Sequence, residues 1–475
     1  MKLPEEINIK KENFSEWFLK FIEKGELIED RYNIKGFYIL RPWLMEIIDK
    51  IYEVWEEELK KTNHKKVLFP SLIPEENFEK EKEHVEGFKP EVFWVTEAGD
   101  TKLNTKVALR PTSETAFYSI YPLWIRSYED LPLKLFQSCS VFRYETKATK
   151  PLIRQREFLW IEAHNAFATE EEALEQIKED MEITTKVYEF FKIPFLFFRR
   201  PEWDKFKGAV YTFAADTILP DGKRLQLPST HYLKQNFSKI FGIKFADRDE
   251  KEKYVYQTCY GPPISRTAAA IISIHSDDYG LILPFSFSPI QIVIIPVLKK
   301  GREEEIINYC DEVGRLLYKY KIYIDKTDKS VGSKYYNWEL KGIPVRIEIG
   351  ENEISKREVC IFRRDKREKS FIKFENLVEE IGKLEKEIEK NLKERVNKYF
   401  SILEADTISE LKEKVLKGFV KIPFCSGENE ECAEKLKEIC EIAGTLYPEE
   451  EKPKNKVCIV CGNKAEIYAY ACRSY

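Results

Sequence analysis

Between Val141 and His164 the chain reads VFRYETKATKPLIRQREFLWIEAH, a run that sets guanidiniums, a carboxylate and an aromatic ring at short intervals. Strand alternation predicts that Arg143 and Glu145 share one face. A Lys-rich loop follows, then Arg154, then Phe158 on a returning strand. A nucleotide needs these groups: arginine for phosphate, a carboxylate for an exocyclic amine, and a ring on which a base can stack. Taken alone, the same hairpin also reads as an amphipathic ribbon laced with surface ion pairs.

A second chemical signal lies near the C-terminus. Cys425-x6-Cys432 is followed, 25 residues on, by Cys458-x2-Cys461. Two cysteine pairs at this spacing suit tetrahedral thiolate binding of Zn²⁺. Four protein ligands leave no position for a reacting water, so the site reads as structural. Reduced, merely buried cysteines are the alternative. Cys440 falls in a helical run and reads as a spare core residue. In a long chain with an intracellular look, such clustering points to metal rather than disulfides.

The elements that must position these groups follow from periodicity. Arg41 to Lys61 is an amphipathic helix, apolar at Leu44, Ile47, Ile48, Ile51 and Val54. Val67 to Pro74 is strand-like, with prolines marking an edge or a break. VFWVTEAG, KVALRPTSE, LKLFQSCSVFRYE and FLWIEAHNAFA are strand-length runs separated by polar turns, which predicts an antiparallel sheet. EEEALEQIKEDMEITTKVYEFF is a helix. At Pro289 the pattern changes. PIQIVIIPV is a continuous apolar strand, an amphipathic helix spans Glu303 to Lys321, and IYID, VRIEIG and EVCIFRR are further strands. Alternation of strand and helix predicts a small α/β domain with a mostly parallel sheet. Residues from about 374 to 417 read as charged helix, and a cysteine-bearing unit completes the chain.

Bulk properties set the limits. With 475 residues, two to four domains are expected. An apolar fraction of 43% with 13% aromatics supplies a core and excludes a disordered chain. Charged residues, dominated by Lys and Glu, make up 34%. The net charge of -4 does not exclude RNA binding, because a local basic face is enough. The opening MKLPEEINIKKENFSEWF has neither the apolar run of a signal peptide nor the arginine-rich amphipathicity of a transit peptide. No window of about 18 apolar residues offers a membrane span. These readings point to a cytoplasmic protein with no membrane association.

The motifs together resemble a known family. FRYE followed by R-x-x-x-F is similar to motif 2 of the class II aminoacyl-tRNA synthetases. LRPTSETAFY contains Thr112-Ser113-Glu114, which resembles the T-x-E motif of the prolyl-tRNA synthetases, and REFLWIEAH resembles their R-E-F-L-W-Q-E-G-H. VLFPSLIP, with Pro70, looks like motif 1, and QLPSTHYLKQNFSK resembles a further block of the family. ISRTAAAIISIHSDDYGLILP is similar to motif 3, with Arg266 as its arginine. WELKGIPVRIEIG and FRRD resemble the anticodon domain. The four-cysteine unit ending in Tyr resembles the tail of the archaeal and eukaryotic-type enzymes. The approach GPPISR departs from the usual G-x-G-x-x-R, and Arg154-Gln155 stands where a Thr-Arg pair is common.

The resemblance implies roles residue by residue. Arg143 bridges the substrate carboxylate and the ATP α-phosphate. Glu145 reads the adenine amine, and Phe158 stacks on the ring. Arg154 and Arg266 hold the outer phosphates, while Gln155, Gln226 and Ser229 are further nucleotide contacts. Thr112 and Glu114 bind the secondary ammonium of proline. Trp160, Glu162, His164 and Phe206 form the pocket around the pyrrolidine ring, and His231 closes it. Glu339 and Arg346 stand where readers of the anticodon guanines are expected, and Arg363 and Arg364 are placed against the same loop; solvated surface charge is the alternative for all four.

The implied fold is α+β: a class II antiparallel-sheet catalytic domain over 1–288, an α/β anticodon-binding domain over 289–395 and a small zinc-binding α+β domain over 396–475. The implied activity is two-step, ATP-dependent ligation of L-proline to tRNA(Pro) through prolyl-adenylate. Mg²⁺ is expected with ATP, structural Zn²⁺ at Cys425, Cys432, Cys458 and Cys461, and a homodimer through motif 1. Two other readings compete. A sister synthetase for threonine, serine or glycine is disfavoured by T-S-E together with W-x-E-x-H. A tRNA-binding protein that has lost catalysis is disfavoured by the joint presence of Arg143, Glu145, Phe158 and Arg266. Only 122 residues lie between Arg143 and Arg266, which leaves no room for an inserted editing domain.

Overall fold

Strands from the first 290 residues and from the last 75 join in one large sheet backed by helices. The computed structural model describes residues 12–80 and 92–475. Residues 1–11, on which the reading of the N-terminus chiefly rests, lie outside them. The large sheet has eleven strands in the order 403–404, 420–424, 467–474, 441–447, 196–199, 211–218, 223–234, 256–261, 157–167, 133–142 and 65–66. Its central pairings are antiparallel, as the closely spaced strand runs predict.

Three helices cover one face of the sheet. Pro42–Lys61 carries Leu44, Ile47, Ile48, Ile51, Trp55 and Leu59 on its buried stripe, and Pro42 at the first turn needs no backbone donor. Each such side chain, fully buried, contributes about 1.5–3 kcal/mol of transfer free energy. Glu170–Phe191 starts at a capping box: Thr169 Oγ1 accepts from the Glu172 N–H at 3.2 Å, and Glu172 Oε2 accepts from the Thr169 N–H at 3.1 Å. Ile264–Ile274 is buried nearly all round, which its apolar and alanine-rich sequence allows.

A second sheet lies in the order 322–324, 292–296, 345–349, 358–363 and 368–373. It is mixed rather than mostly parallel. Strand 292–296 pairs in parallel with both neighbours, whereas 345–349, 358–363 and 368–373 run antiparallel through short connections. The charged segment is helical over Leu377–Tyr399 but breaks there; strand 403–404 and the short helix Ile408–Lys414 follow. Cys440 is buried, yet it lies in the turn before strand 441–447 and not in a helix.

The cysteine-bearing unit does not stand apart. Its strand 441–447 pairs with 196–199, and 467–474 pairs in parallel with the start of 223–234. The second sheet is also tied to the first. A Cβ at Gly342, with φ +77, would lie 2.4 Å from Leu281 Cβ, so only glycine allows that turn to touch the hairpin after helix 264–274. Beside it Arg364 forks onto Asp277 at 2.8 and 2.5 Å and donates from Nε to the Glu339 carbonyl at 3.1 Å.

Arg364 is 1% exposed and spends its donors on the junction between sheets. Arg363 is likewise buried, held by Asp365 and by Glu387 at 2.6 Å. A buried guanidinium is costly unless its donors are met, and both arginines meet theirs within the protein.

Candidate active site

Residues paired directly across an antiparallel ladder point to the same face. Thr212 pairs with His231, His231 with Cys259, Cys259 with His164, and His164 with Leu135. This row crosses five strands on the face opposite the helices. One step along, Glu162 pairs with Gln137; one further, Trp160 pairs with Cys139. Trp160, Glu162 and His164 therefore line up at period two on strand 157–167. A cavity of about 190 Å³ opens over them, lined also by Thr112, Glu114, Arg143, Phe206, Gln226 and Ser229. All the proline-pocket residues named from the sequence are brought together here. Gly261 also lines it, because a Cβ there would lie 2.8 Å from the Trp160 indole.

Glu162 is 3% exposed and collects donors. Its Oε1 accepts from the Ser113 N–H at 3.0 Å; its Oε2 accepts from the Ser113 hydroxyl at 2.6 Å and from Gln137 Nε2 at 3.2 Å. The Thr112 hydroxyl stands 3.0 Å from Glu162 and 2.5 Å from Glu114 Oε2. Glu162 thus anchors the loop 112–114 and turns Glu114 toward the cavity at the start of helix Glu114–Trp124. His231 has Nδ1 2.8 Å from Thr212 and Nε2 3.0 Å from Ser229, with its ring 4.6 Å from that of Phe206. His164 faces Tyr118 through Nδ1 at 3.3 Å, and its Nε2 has no partner among the described residues.

The nucleotide candidates gather at the mouth. Strand 133–142 ends at Phe142, so Arg143 and Glu145 lie in the turn beyond it and do not share a strand face as alternation predicts. Arg143 instead donates to the Pro111 carbonyl at 3.0 Å and lies over Phe158 and Trp160, at 5.4 and 4.9 Å. Arg154 pairs with Glu145 at 3.6 Å and donates to the backbone oxygen of Tyr475. Arg266 donates to the carbonyls of Ile153 and Gln226. Burial, and then the charges of Arg143, Arg154 and Arg224, lower the Arg266 guanidinium to about 10. Arginines that repel one another in a partly dry site favour an anion between them. Gln155 is buried, and its carbonyl oxygen has no partner among the described residues.

Glu339, Arg346 and the four cysteines lie elsewhere. Arg346 is sandwiched between the rings of Tyr335 and Phe362 at 4.0 and 4.1 Å and bonded to Glu348. Glu339 ion-pairs with Arg367. The sulfurs of Cys425, Cys432, Cys458 and Cys461 all lie within 4.8 Å of one another.

The sequence reading missed Arg200, Asp204, Thr212 and Cys259. Arg200 forks onto the buried Asp216 at 2.7 and 2.7 Å and donates to the Ala443 carbonyl at 2.7 Å, tying the cavity wall to the cysteine-bearing unit. Cys259 is buried beside Glu114, and burial followed by that carboxylate's charge pushes its thiol up. The signal for Cys259 was its position in a strand-length run, but the register that sets it between two histidines is not written in the local sequence.

Comparison with known proteins agrees with this geometry. The family description "tRNA synthetase class II core domain (G, H, P, S and T)" matches residues 93–275, "Anticodon binding domain" matches 291–384, and "Prolyl-tRNA synthetase, C-terminal" matches 408–475. A proline–tRNA ligase of Thermofilum pendens is 52% identical, with 98% of each chain covered. That of Pyrococcus horikoshii is 44% identical over the same shares. Among solved structures, Giardia lamblia prolyl-tRNA synthetase in complex with prolyl-adenylate superposes with a TM-score of 0.92 at 35% identity, covering 98% of this chain and 99% of that one.

Behind the sheet, Asp180 of helix 170–191 accepts from Thr230 Oγ1 at 2.6 Å and from Gln176 Nε2 at 2.7 Å, steadying the strand that carries Ser229 and His231. Burial raises the Asp180 carboxyl to about 7 against the pull of those two hydrogen bonds. The folded protein therefore holds a proton that the unfolded chain releases near pH 4. Stability from this group is present below about pH 4 and lost as pH rises toward 7, by at most about 1.4 kcal/mol per pH unit. Asp180→Asn should remove that slope, as read by chemical denaturation between pH 4 and 7.5. An unchanged slope in the variant would show that Asp180 is ionised in the fold.

Proposed function

This chain belongs to the prolyl-tRNA synthetase family of class II enzymes, and on that premise we propose how its residues divide the work. It catalyses ATP-dependent ligation of L-proline to tRNA(Pro) through prolyl-adenylate. The observation that carries the residue assignment is the pair of carboxylates, Glu114 and Glu162, bridged by Thr112 at the floor of a cavity sized for a small amino acid, with Arg143 at its wall.

Glu114 and the Thr112 hydroxyl receive the secondary ammonium of proline. Trp160, His164, Phe206 and His231 enclose its ring, and Glu162 acts by holding loop 112–114. Arg143 reaches the proline carboxylate and the α-phosphate together. The carboxylate attacks the α-phosphorus, pyrophosphate leaves, and the terminal ribose hydroxyl of tRNA then attacks the adenylate carbonyl and releases AMP. No covalent enzyme intermediate is needed; positioning and charge neutralisation lower the barrier. Phe158 and Glu145 receive the adenine, Gln155, Gln226 and Ser229 are further nucleotide contacts, and Arg154 and Arg266 meet the outer phosphates. Mg²⁺ bound with ATP supplies further charge neutralisation.

The division 1–288, 289–395 and 396–475 separates adenylate formation, anticodon binding and the cysteine unit, although strands cross the last boundary. Glu339 and Arg346 meet the anticodon. Leu68 and Leu72 of motif 1 are solvent-exposed, as are Leu123 and Trp124, whose ring lies 5.9 Å from that of Phe69; a second copy of the chain in a homodimer would cover such apolar side chains. No helix among the described residues is long and apolar enough to cross a membrane, in keeping with work in the cytoplasm. Four thiolates in tetrahedral array about Zn²⁺ stand about 3.8 Å apart, and Cys425, Cys432, Cys458 and Cys461 are close enough to close onto the ion with little movement.

Arg143→Lys keeps the charge but loses the fork and the flat face against Trp160. Proline-dependent ATP–pyrophosphate exchange should fall at least about a hundredfold, or about 2.7 kcal/mol of transition-state stabilisation. Near-normal exchange would remove Arg143 from the reacting centre. Freshly purified protein should carry about one zinc per chain, and Cys458→Ser should lose it. Elemental analysis of unchelated protein showing no metal would contradict this site.

A further inference from the structure

We propose that Lys150 is a positioning residue for Arg154: an aromatic cage holds its ammonium and so fixes the hairpin from which Arg154 reaches the nucleotide. The inference rests on the reading of Arg154 as a phosphate contact.

Three rings from two distant parts of the chain converge on Lys150 Nζ. Phe14 and Phe18, on helix Phe14–Lys24, lie 5.3 and 5.5 Å away at their centroids, and Tyr475 lies 4.7 Å away. Phe14 and Phe18 are themselves buried, while Lys150 and Tyr475 are half-buried, so the cage sits at the edge of the core. The one hydrogen-bond partner of the ammonium is the Ser15 hydroxyl at 3.5 Å, and no ion pair to Lys150 occurs among the described residues. In a chain where lysines pair freely with glutamates, this one is held by ring faces.

The cage acts at short range. The Lys150 N–H donates to the Arg154 carbonyl at 2.8 Å, and the Arg154 N–H donates back to the Lys150 carbonyl at 2.9 Å. Between them Leu152 takes φ +63, an uncommon conformation for a leucine, and both Leu152 and Ile153 are buried in the main core. The Ile153 carbonyl accepts from Arg266 at 3.2 Å, and Thr149 accepts from the Tyr38 hydroxyl at the same distance. The two reciprocal backbone bonds make Lys150 and Arg154 move as one, so a shift of Lys150 is passed to Arg154. Tyr475 serves both ends, since its ring faces Lys150 and its backbone oxygen accepts from Arg154.

The test measures KM for ATP and for proline separately in the exchange reaction. Lys150→Met keeps the stem and removes the charge; it should raise KM for ATP about tenfold and leave KM for proline within twofold. Lys150→Arg, which keeps a cation against the rings, should restore the ATP value. In an Arg154→Ala background, Lys150→Met should add no further increase, because Lys150 acts through Arg154. A wild-type KM for ATP in Lys150→Met, an equal rise in both KM values, or failure of arginine to rescue would overturn the proposal. Arg154→Ala alone separates the two claims: if it leaves KM for ATP unchanged, the phosphate reading of Arg154 fails; if it raises KM for ATP while Lys150→Met does not, only the role of Lys150 fails.

Discussion

A carboxylate buried on a sheet face must be surrounded by donors, and Glu162 imposes that requirement on everything near it. Its oxygens take the Ser113 N–H, the Ser113 hydroxyl and the Gln137 amide. Leaving one such partner unmet costs about 1–3 kcal/mol, more for a charged group. The loop 112–114 is therefore locked to strand 157–167, and Gln137 of the neighbouring strand is locked to both. Glu114 can then face the cavity with a fixed direction, which a carboxylate on a free loop could not do. A pocket that recognises an ammonium by one carboxylate and supports it with another owes its rigidity to the second.

The opposite wall works by repulsion. Arg143 is spread over two aromatic faces, and half-buried Arg266 stands near three other arginines with carbonyls as its hydrogen-bond partners. Such a cluster is strained electrostatically until an anion arrives. The fold holds it by fixing each arginine to a separate element: Arg143 to the loop at Pro111, Arg154 to a pinned hairpin, and Arg266 to a helix packed within the core.

How far the sequence alone reaches is clear from particular residues. Trp160, Glu162 and His164 are legible through the resemblance of REFLWIEAH to its family block, and alternation on strand 157–167 explains why that block puts them on one face. Cys259 and Thr212 were not, since their place in the same row depends on which strands pair and in what register. Arg363 and Arg364 read as contacts for the anticodon loop or as surface charge, because the partner that buries Arg364, Asp277, lies far away in the chain. The same limit hid the joining of strands 441–447 and 196–199, whose pairing is long-range. Arg143 lines the cavity for a reason alternation does not supply, since it lies past the strand end and is aimed by Pro111 and the ring faces.

The central claim is that this cavity selects proline by its ammonium and its ring. ATP–pyrophosphate exchange driven by single amino acids tests it most directly. The account predicts fastest exchange with proline and a weaker but measurable rate with alanine, because a pocket cannot strongly exclude a smaller side chain. Exchange with threonine or glycine equal to or faster than that with proline would contradict it.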